Sequence, residues 1–306
     1  MKGMELSRRF WENVGRPAYE RLLPELLSRA AVGLAGEGSE CFGYDDEISR
    51  DHDWGPGFCL WLTAADMEDL GSRAEKVWGL LPRTYMGFSR ERESDLSAGR
   101  IGVMEIGTFY YRLLGIDHLP ESIREWHRLP ETGLAAATNG EIIADPVGEF
   151  TRFREGLLAY YPEDVWKKRL AARCALAAQA GQYNYGRCMA RGERTAAFSA
   201  LAQFVDHAEA IVYLLNRRYR PYYKWARRGM ERCPVLGPEI GALLDRLTDD
   251  AASRTERIET ISRLIIRELR RQGLSDGESG FLLPHAREIQ ASIRDPLLAR
   301  LHLMTE

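Results

Sequence analysis

The stretch "GSECFGYDDEISRDHDWG", residues 38–55, decides how the rest of the chain is interpreted. It opens with a Gly-Ser pair, continues with small and turn-forming residues, and ends with Asp51 and Asp53 on either side of His52. An apolar segment, "GFCLWLTA" at 57–64, follows and is typical of a buried strand. Because side chains alternate between the two faces of a strand, the two aspartates are expected to project together, with His52 on the opposite face.

Two carboxylates on one face indicate a metal site. They repel each other, and both stay ionised comfortably only beside a cation. Oxygen ligands suit Mg²⁺ or Mn²⁺, which also take phosphate oxygens as ligands. Gly38 and Ser39 supply a tight turn whose N–H groups and hydroxyl can receive a phosphate. The spacing therefore favours Asp51 and Asp53 as catalytic metal ligands and Gly38 and Ser39 as nucleotide-binding residues. The alternative is a loop in which all of these residues only make turns.

Composition narrows the class of protein. With 306 residues, 45% of them apolar and 28% charged, the chain can bury a sizeable core as a globular protein. The formal net charge of −3 gives no global basic field, so nucleic acid is not the expected partner. Five scattered cysteines without a C-x-x-C pair suit a reducing cytoplasm. No apolar run approaches the ~18 residues of a membrane span, and the N-terminal stretch lacks a signal-peptide core.

Strand signals are confined to the first half of the chain. Strands are predicted at 57–64, 100–106 and 139–146; 5–34 has a helical stripe interrupted by prolines, 66–81 is helical, and 83–99 is expected to be a loop. Past about residue 150 only long helical patterns remain. This order predicts an α+β domain over residues 1–150, a small mixed sheet with helices, followed by an all-helical bundle domain over residues 151–306.

The order of motifs resembles a known signature. A Gly-Ser turn followed by an Asp-x-Asp strand is similar to the nucleotidyltransferase (polymerase beta-like) superfamily. A closer resemblance covers most of the first 230 residues: "RDHDWGPGF", "LLAYYPEDVWKKRLA" and "LLNRRYRPYYKW" together resemble an uncharacterised bacterial family, a domain of unknown function placed among nucleotidyltransferase-like proteins. The resemblance implies the fold more strongly than the substrate, and the segment beyond about 235 carries none of these motifs.

A third carboxylate commonly completes such sites from a neighbouring strand. Glu105, in "RIGVMEI", is the catalytic candidate by position, and Asp145 is the alternative. The strand neighbours that share a face with Glu105 are apolar, so an exposed or salt-bridged residue at a strand end is the competing interpretation. If neither carboxylate reaches the metal, the site is weakened as a catalyst.

Further nucleotide contacts are predicted from the densest basic and aromatic segment, "NRRYRPYYKW" at 216–225. Arg218 and Lys224 are candidates for phosphate, and Tyr222 for stacking on a base. The polar segment "GQYNYGRCMARG" adds Arg187 as a candidate pocket residue. The competing interpretation is an aromatic junction between helices whose basic side chains are solvated.

These features predict an enzyme that uses a divalent metal to move a nucleoside monophosphate from a nucleoside triphosphate, with ATP as the expected donor. The acceptor is expected to be a hydroxyl of a small molecule or a protein. The alternative is a non-catalytic nucleotide-binding regulator that acts through a protein partner. A pure scaffold ranks third, because it leaves the Gly-Ser and Asp-x-Asp arrangement unused.

Overall fold

The computed structural model describes residues 1–50, 54–90, 99–249 and 252–306. Asp51 and Asp53 therefore lie outside the described residues. The chain divides into two compact units: the first contains residues 1–121 and 129–159, and the second contains residues 122–128 and 160–306. The division predicted at residue 150 falls within a helix of the first unit, Glu149–Leu158.

The helices and strands are numbered in chain order. The helices are α1 Gly3–Phe10, α2 Arg16–Leu22, α3 Ser39–Phe42, α4 Ala64–Leu80, α5 Ile106–Leu114, α6 Ile123–Arg128, α7 Glu131–Ala137, α8 Glu149–Leu158, α9 Glu163–Ala177, α10 Gly186–Ala190, α11 Arg194–Leu215, α12 Tyr223–Met230, α13 Gly237–Asp249, α14 Arg254–Arg271, α15 Leu282–Ala291 and α16 Pro296–Arg300. The strands are β1 Ala31–Leu34, β2 Cys59–Leu62, β3 Thr84–Tyr85, β4 Phe88–Ser89, β5 Gly102–Glu105 and β6 Glu141–Ala144. π-helical turns at Trp11–Gly15 and Ala178–Tyr185 join α1 to α2 and α9 to α10.

The first unit is built on a four-stranded mixed sheet in the order β5-β2-β1-β6. β1 pairs antiparallel with β2 and with β6, whereas β2 and β5 are parallel. A parallel pair needs a crossover connection, and α4 lies in the segment that joins β2 to β5. The register places Cys59 opposite Gly102 and Leu62 opposite Glu105. This small mixed sheet with helices confirms the α+β prediction.

The two central strands are buried on both faces. Because neighbouring side chains alternate, Leu60 and Leu62 pack into a core with Phe10, whereas Trp61 points to the opposite face. There the Trp61 ring stacks on Phe150 of α8, with ring centroids 4.0 Å apart. Burying side chains of this size gives roughly 1.5–3 kcal/mol each relative to solvent exposure, so both faces stabilise the sheet.

Two elements of this unit differ from the prediction. Ala31–Leu34 lie in the stretch expected to be helical, but they form the central strand β1. A Cβ at Gly33 would lie 2.2 Å from the backbone oxygen of Glu141. The absence of a side chain at this position therefore lets β6 approach β1 closely. The segment expected to be a loop contains the β3–β4 hairpin, in which Met86 and Gly87 both have positive φ, as in a type I′ turn.

Among its described residues the second unit contains helices and connecting loops but no strand, which confirms the predicted change to helices in the second half of the chain. Lys168 on α9 is fully buried, and its ammonium donates 3.0 Å hydrogen bonds to Gln290 Oε1 and to the backbone oxygens of His302 and Leu303. This lysine therefore holds the residues after α16 against α9. Among the described residues, no helix combines the length and the apolar character needed to cross a membrane.

Candidate functional site

A cleft opens in the first unit where β1 ends and where β2 and β5 begin. It encloses about 760 Å³ of space, part of it continuous with solvent. The residues that line it include Gly38, Glu40, Trp54, Arg90, Arg100 and Arg112. Gly38 of the predicted Gly-Ser turn therefore lies in the wall of this cleft, whereas Ser39 is the first residue of α3 and is not among the lining residues.

Glycine at position 38 leaves room for the ends of the Glu40 and Arg100 side chains. Gly38 has φ −62°, which any residue can adopt, so the backbone angle does not require glycine. A Cβ at this position, however, would lie 2.2 Å from Glu40 Oε1 and 2.6 Å from an Arg100 guanidinium nitrogen. Two residues earlier, Gly36 has φ +128°, a conformation that favours glycine. The two glycines therefore serve different physical purposes in one turn.

The side chain of Asn139 binds the backbone of the turn at Gly36. Its Oδ1 accepts a 2.9 Å hydrogen bond from Gly36 N, and its Nδ2 donates a 2.7 Å bond to Gly36 O. The next residue, Gly140, donates through its N–H to Cys41 O at 3.0 Å. Arg154 in turn donates to the backbone oxygen of Asn139 at 3.2 Å. From the sequence, the Asn139-Gly140 dipeptide predicts only a turn, because its neighbouring residues do not indicate which backbone groups the Asn139 side chain will bind.

The charges of the cleft favour an anion. Among the described residues that line it, Arg90, Arg100 and Arg112 outnumber Glu37 and Glu40. Guanidinium groups present fixed pairs of N–H donors that match phosphate oxygens. The chain therefore concentrates basic side chains around the Gly-Ser turn, although its overall charge is slightly negative.

Glu40 and Arg100 form a partly buried ion pair. Glu40 Oε1 lies 3.7 Å from an Arg100 guanidinium nitrogen, with 11% and 22% of the two side chains exposed. Burial raises the pKa of Glu40, and the positive charge of Arg100 opposes that rise. Arg112 donates to the backbone oxygen of Gly99, and the Arg90 guanidinium lies 4.5 Å from the centre of the Trp78 ring.

Trp54 follows Asp53 directly in the sequence and lines the cleft. Its indole nitrogen donates to Asp45 Oδ2 at 3.3 Å, and the same oxygen accepts a 2.7 Å hydrogen bond from Gly3 N. Asp51 and Asp53 themselves lie outside the described residues, so their metal site stays a prediction. Within the described ranges, no group of three or more His, Cys, Asp or Glu residues is arranged to hold a metal ion.

Glu105 is placed at the other end of the sheet. It is the last residue of β5 and pairs with Leu62, the last residue of β2. The cleft instead begins at Ile101, and four residues of extended strand span about 13 Å. Because β2 and β5 run parallel, the ends that meet the Gly-Ser turn are their first residues. Glu105 therefore lies away from the Gly-Ser turn, and because Asp51 and Asp53 lie outside the described residues, its role as their third carboxylate stays a prediction.

Asp145, the alternative third carboxylate, caps a helix. Its Oδ1 accepts a 2.9 Å hydrogen bond from Gly148 N, and its Oδ2 accepts a 2.7 Å bond from Thr151 N. These N–H groups belong to the start of α8, where backbone donors lack partners within the helix. These hydrogen bonds give the Asp145 carboxylate a structural role at the start of α8.

The other predicted nucleotide contacts belong to the second unit. Arg218 and Lys224 are exposed, and Lys224 Nζ lies 5.3 Å from the centre of the Trp225 ring. Tyr222 is 52% exposed and packs against a neighbouring tyrosine with ring centroids 4.5 Å apart. Arg187 is exposed and lies over a tyrosine ring at 4.8 Å. Their role in nucleotide binding stays a prediction.

The same unit contains a buried ionic network that sequence reasoning did not identify. Arg220, 8% exposed, donates to Asp206 Oδ1 at 2.6 Å and lies 4.0 Å from Glu209 Oε2. Burial raises the pKa of Glu209 to about 7 and lowers that of His207 to about 4. The only signal in the sequence is the position of these polar residues within an otherwise apolar helical pattern.

Comparisons with known proteins agree with part of the expectation. Residues 126–226 match the model of a family described as "Domain of unknown function (DUF4037)". The expected likeness to a domain of unknown function is confirmed over those residues. No curated protein matches the chain. Among solved structures, the chain is similar to the crystal structure of a nucleotidyltransferase-like protein from Exiguobacterium sibiricum, with 12% sequence identity, 86% of this chain and 77% of that chain covered, and a TM-score of 0.38.

Proposed function

We propose that this protein is a metal-dependent nucleotidyltransferase. It would move a nucleoside monophosphate from a nucleoside triphosphate, ATP being the expected donor, to a hydroxyl of a small molecule or a protein. The observation that carries the proposal is the cleft at the Gly-Ser turn, which Arg90, Arg100 and Arg112 line together with Gly38.

In this proposal the arginines bind the triphosphate and hold it against the turn. Arg100 is best placed to bind a phosphate at the turn, because a guanidinium nitrogen of Arg100 lies 2.6 Å from the position that a Cβ on residue 38 would occupy. Fixed donors of this kind stabilise charge that develops on phosphate oxygens without having to reorganise. Trp54, held by Asp45, supplies an aromatic surface in the cleft wall. Arg218, Lys224, Tyr222 and Arg187 remain candidates for further contacts.

Asp51 and Asp53 would hold Mg²⁺ or Mn²⁺ through carboxylate oxygens, the ligand type that these ions prefer. When bound, the metal supplies charge stabilisation at the phosphates. A carboxylate of the same pair would accept the proton of the acceptor hydroxyl, since proton transfer to a positioned carboxylate is a common form of general base catalysis. The arginines would then neutralise the leaving pyrophosphate.

Binding of a fluorescent, non-hydrolysable ATP analogue with Mg²⁺ tests the site. Arg100→Gln removes a charge-assisted hydrogen bond, and losing one worth about 1.5–3 kcal/mol weakens binding roughly 10- to 150-fold. Asp53→Asn should weaken the Mg²⁺-dependent part of binding. Arg21→Gln, on the exposed surface of α2, is the matched control and should bind like the wild type. Equal affinity of Arg100→Gln and Arg21→Gln would remove the basis of the proposal.

A regulator that binds nucleotide without turnover is the second candidate. It is favoured by the positions of Glu105, at the far end of β5, and of Asp145, which caps α8. Incubation with radiolabelled ATP and candidate acceptors separates the two functions. Transfer of label to an acceptor supports the enzyme, whereas tight binding with no transfer and no pyrophosphate release supports the regulator.

A further inference from the structure

A ligand that approaches Gly38 from the side where a Cβ would project meets the Glu40–Arg100 pair. A Cβ on Gly38 would lie 2.2 Å from Glu40 Oε1 and 2.6 Å from the Arg100 guanidinium. The hydroxyl of Ser39 also lies 3.4 Å from the other oxygen of Glu40. The surface offered to a phosphate at this turn is therefore composed of one cation and one carboxylate.

The surroundings of Glu40 leave its charge dependent on Arg100. Burial raises the pKa of Glu40, and the negative charge of Asp45 acts in the same direction, whereas Arg100 lowers it. The nearby ammonium of Lys2 lies 3.5 Å from Asp45 Oδ1, so it is engaged by that carboxylate. The Cys41 thiol beside Glu40 is fully buried, and burial raises its pKa well above the usual value, so it adds no charge.

We infer that Glu40 binds one proton from solvent when a polyphosphate binds at Arg100. This inference rests on the proposed nucleotide site. An incoming phosphate shares the guanidinium of Arg100 and brings like charge next to Glu40, and both changes favour the neutral carboxylic acid. A neutral Glu40 can also donate a hydrogen bond to a phosphate oxygen, which the carboxylate cannot do.

The proton couples nucleotide affinity to pH. By linkage, a ligand that is bound together with a proton binds more tightly as the pH falls, by up to about tenfold per pH unit for one proton. Glu40 is thus a specificity-determining residue of the proposed site. Ligands with several phosphate charges would drive the protonation, whereas an uncharged nucleoside would not.

Isothermal titration calorimetry with a non-hydrolysable ATP analogue and Mg²⁺ measures this coupling. Titrations at pH 6, 7 and 8, each in two buffers with different ionisation enthalpies, give the number of protons taken up. The wild type should take up more protons than Glu40→Gln by a fraction approaching one, and the variant should bind more tightly than the wild type at pH 8. Glu37→Gln makes the same change at an exposed residue of the same cleft and should keep the wild-type uptake.

The outcomes separate this inference from the proposed function. Binding with the same proton uptake in the wild type and Glu40→Gln would overturn the role of Glu40 and leave the nucleotide site intact. No binding by any variant or by the wild type would overturn both. The wild type provides a test that needs no substitution, because an affinity that does not fall between pH 6 and pH 8 would also contradict the inference.

Discussion

Replacing Asn139 with alanine should loosen the Gly-Ser turn without touching the cleft itself. The carboxamide of Asn139 makes two hydrogen bonds with the backbone of Gly36, at 2.9 Å and 2.7 Å. Gly36 is buried, so its N–H and C=O would lose these partners where water replaces them poorly. The substitution should therefore destabilise the fold and increase local motion of the turn.

The expected cost follows from these two bonds. A hydrogen bond contributes about 0.5–1.5 kcal/mol net, and a buried polar group left without a partner costs about 1–3 kcal/mol. Two affected backbone groups predict a loss of about 2–6 kcal/mol in the free energy of unfolding. That is a large fraction of the ~5–15 kcal/mol by which domains are usually stable.

Urea unfolding followed by tryptophan fluorescence measures the loss, and hydrogen exchange of the Gly36 amide localises it. Asn13→Ala is the matched control, because Asn13 also makes a side-chain hydrogen bond, to Tyr85 Oη at 2.9 Å, but on the exposed surface. Its effect should stay within about 0.5 kcal/mol. The reasoning is refuted if Asn139→Ala is no more destabilising than Asn13→Ala, or if exchange at Gly36 is unchanged.

Three further outcomes are expected. Gly38→Ala places a Cβ 2.2 Å from Glu40 Oε1 and should weaken binding of the ATP analogue at least about tenfold, or ~1.4 kcal/mol, while thermal unfolding shows a folded protein; unchanged affinity would contradict this. Burial raises the pKa of Glu209 to about 7, so the contribution of Glu209 to the free energy of unfolding should fall as the pH rises from about 4.5 to 7, whereas that of His207, whose pKa burial lowers to about 4, should rise. In urea titrations across that range, the stability of the wild type relative to Glu209→Gln should therefore fall with pH, and a constant difference would count against it. Gly181→Ala puts a Cβ 2.3 Å from the Phe204 ring and should cost about 1–3 kcal/mol in urea unfolding, a prediction that fails if stability is unchanged.

Patterns within a few residues predicted much of the fold. The predicted helix at 66–81 corresponds to α4, Ala64–Leu80, because its apolar residues repeat with the helical period. α5 ends at Leu114, because the next residue, Gly115, adopts φ +76°, the left-handed conformation that commonly terminates helices. β2 and β5 are recognisable because each is a short apolar run. In these elements the residues that determine the conformation are neighbours in the sequence.

The sequence by itself determined the location of the Gly-Ser turn, the α+β character of the first half and the helical character of the second. Tertiary structure decided that Ala31–Leu34 form a central strand, that Asn139 holds the turn from about a hundred residues away, and that Glu105 lies at the far end of β5. Each of these depends on which strands pair, in which direction and in which register. Pairing is set by burial between distant segments, and no local pattern of residues records it.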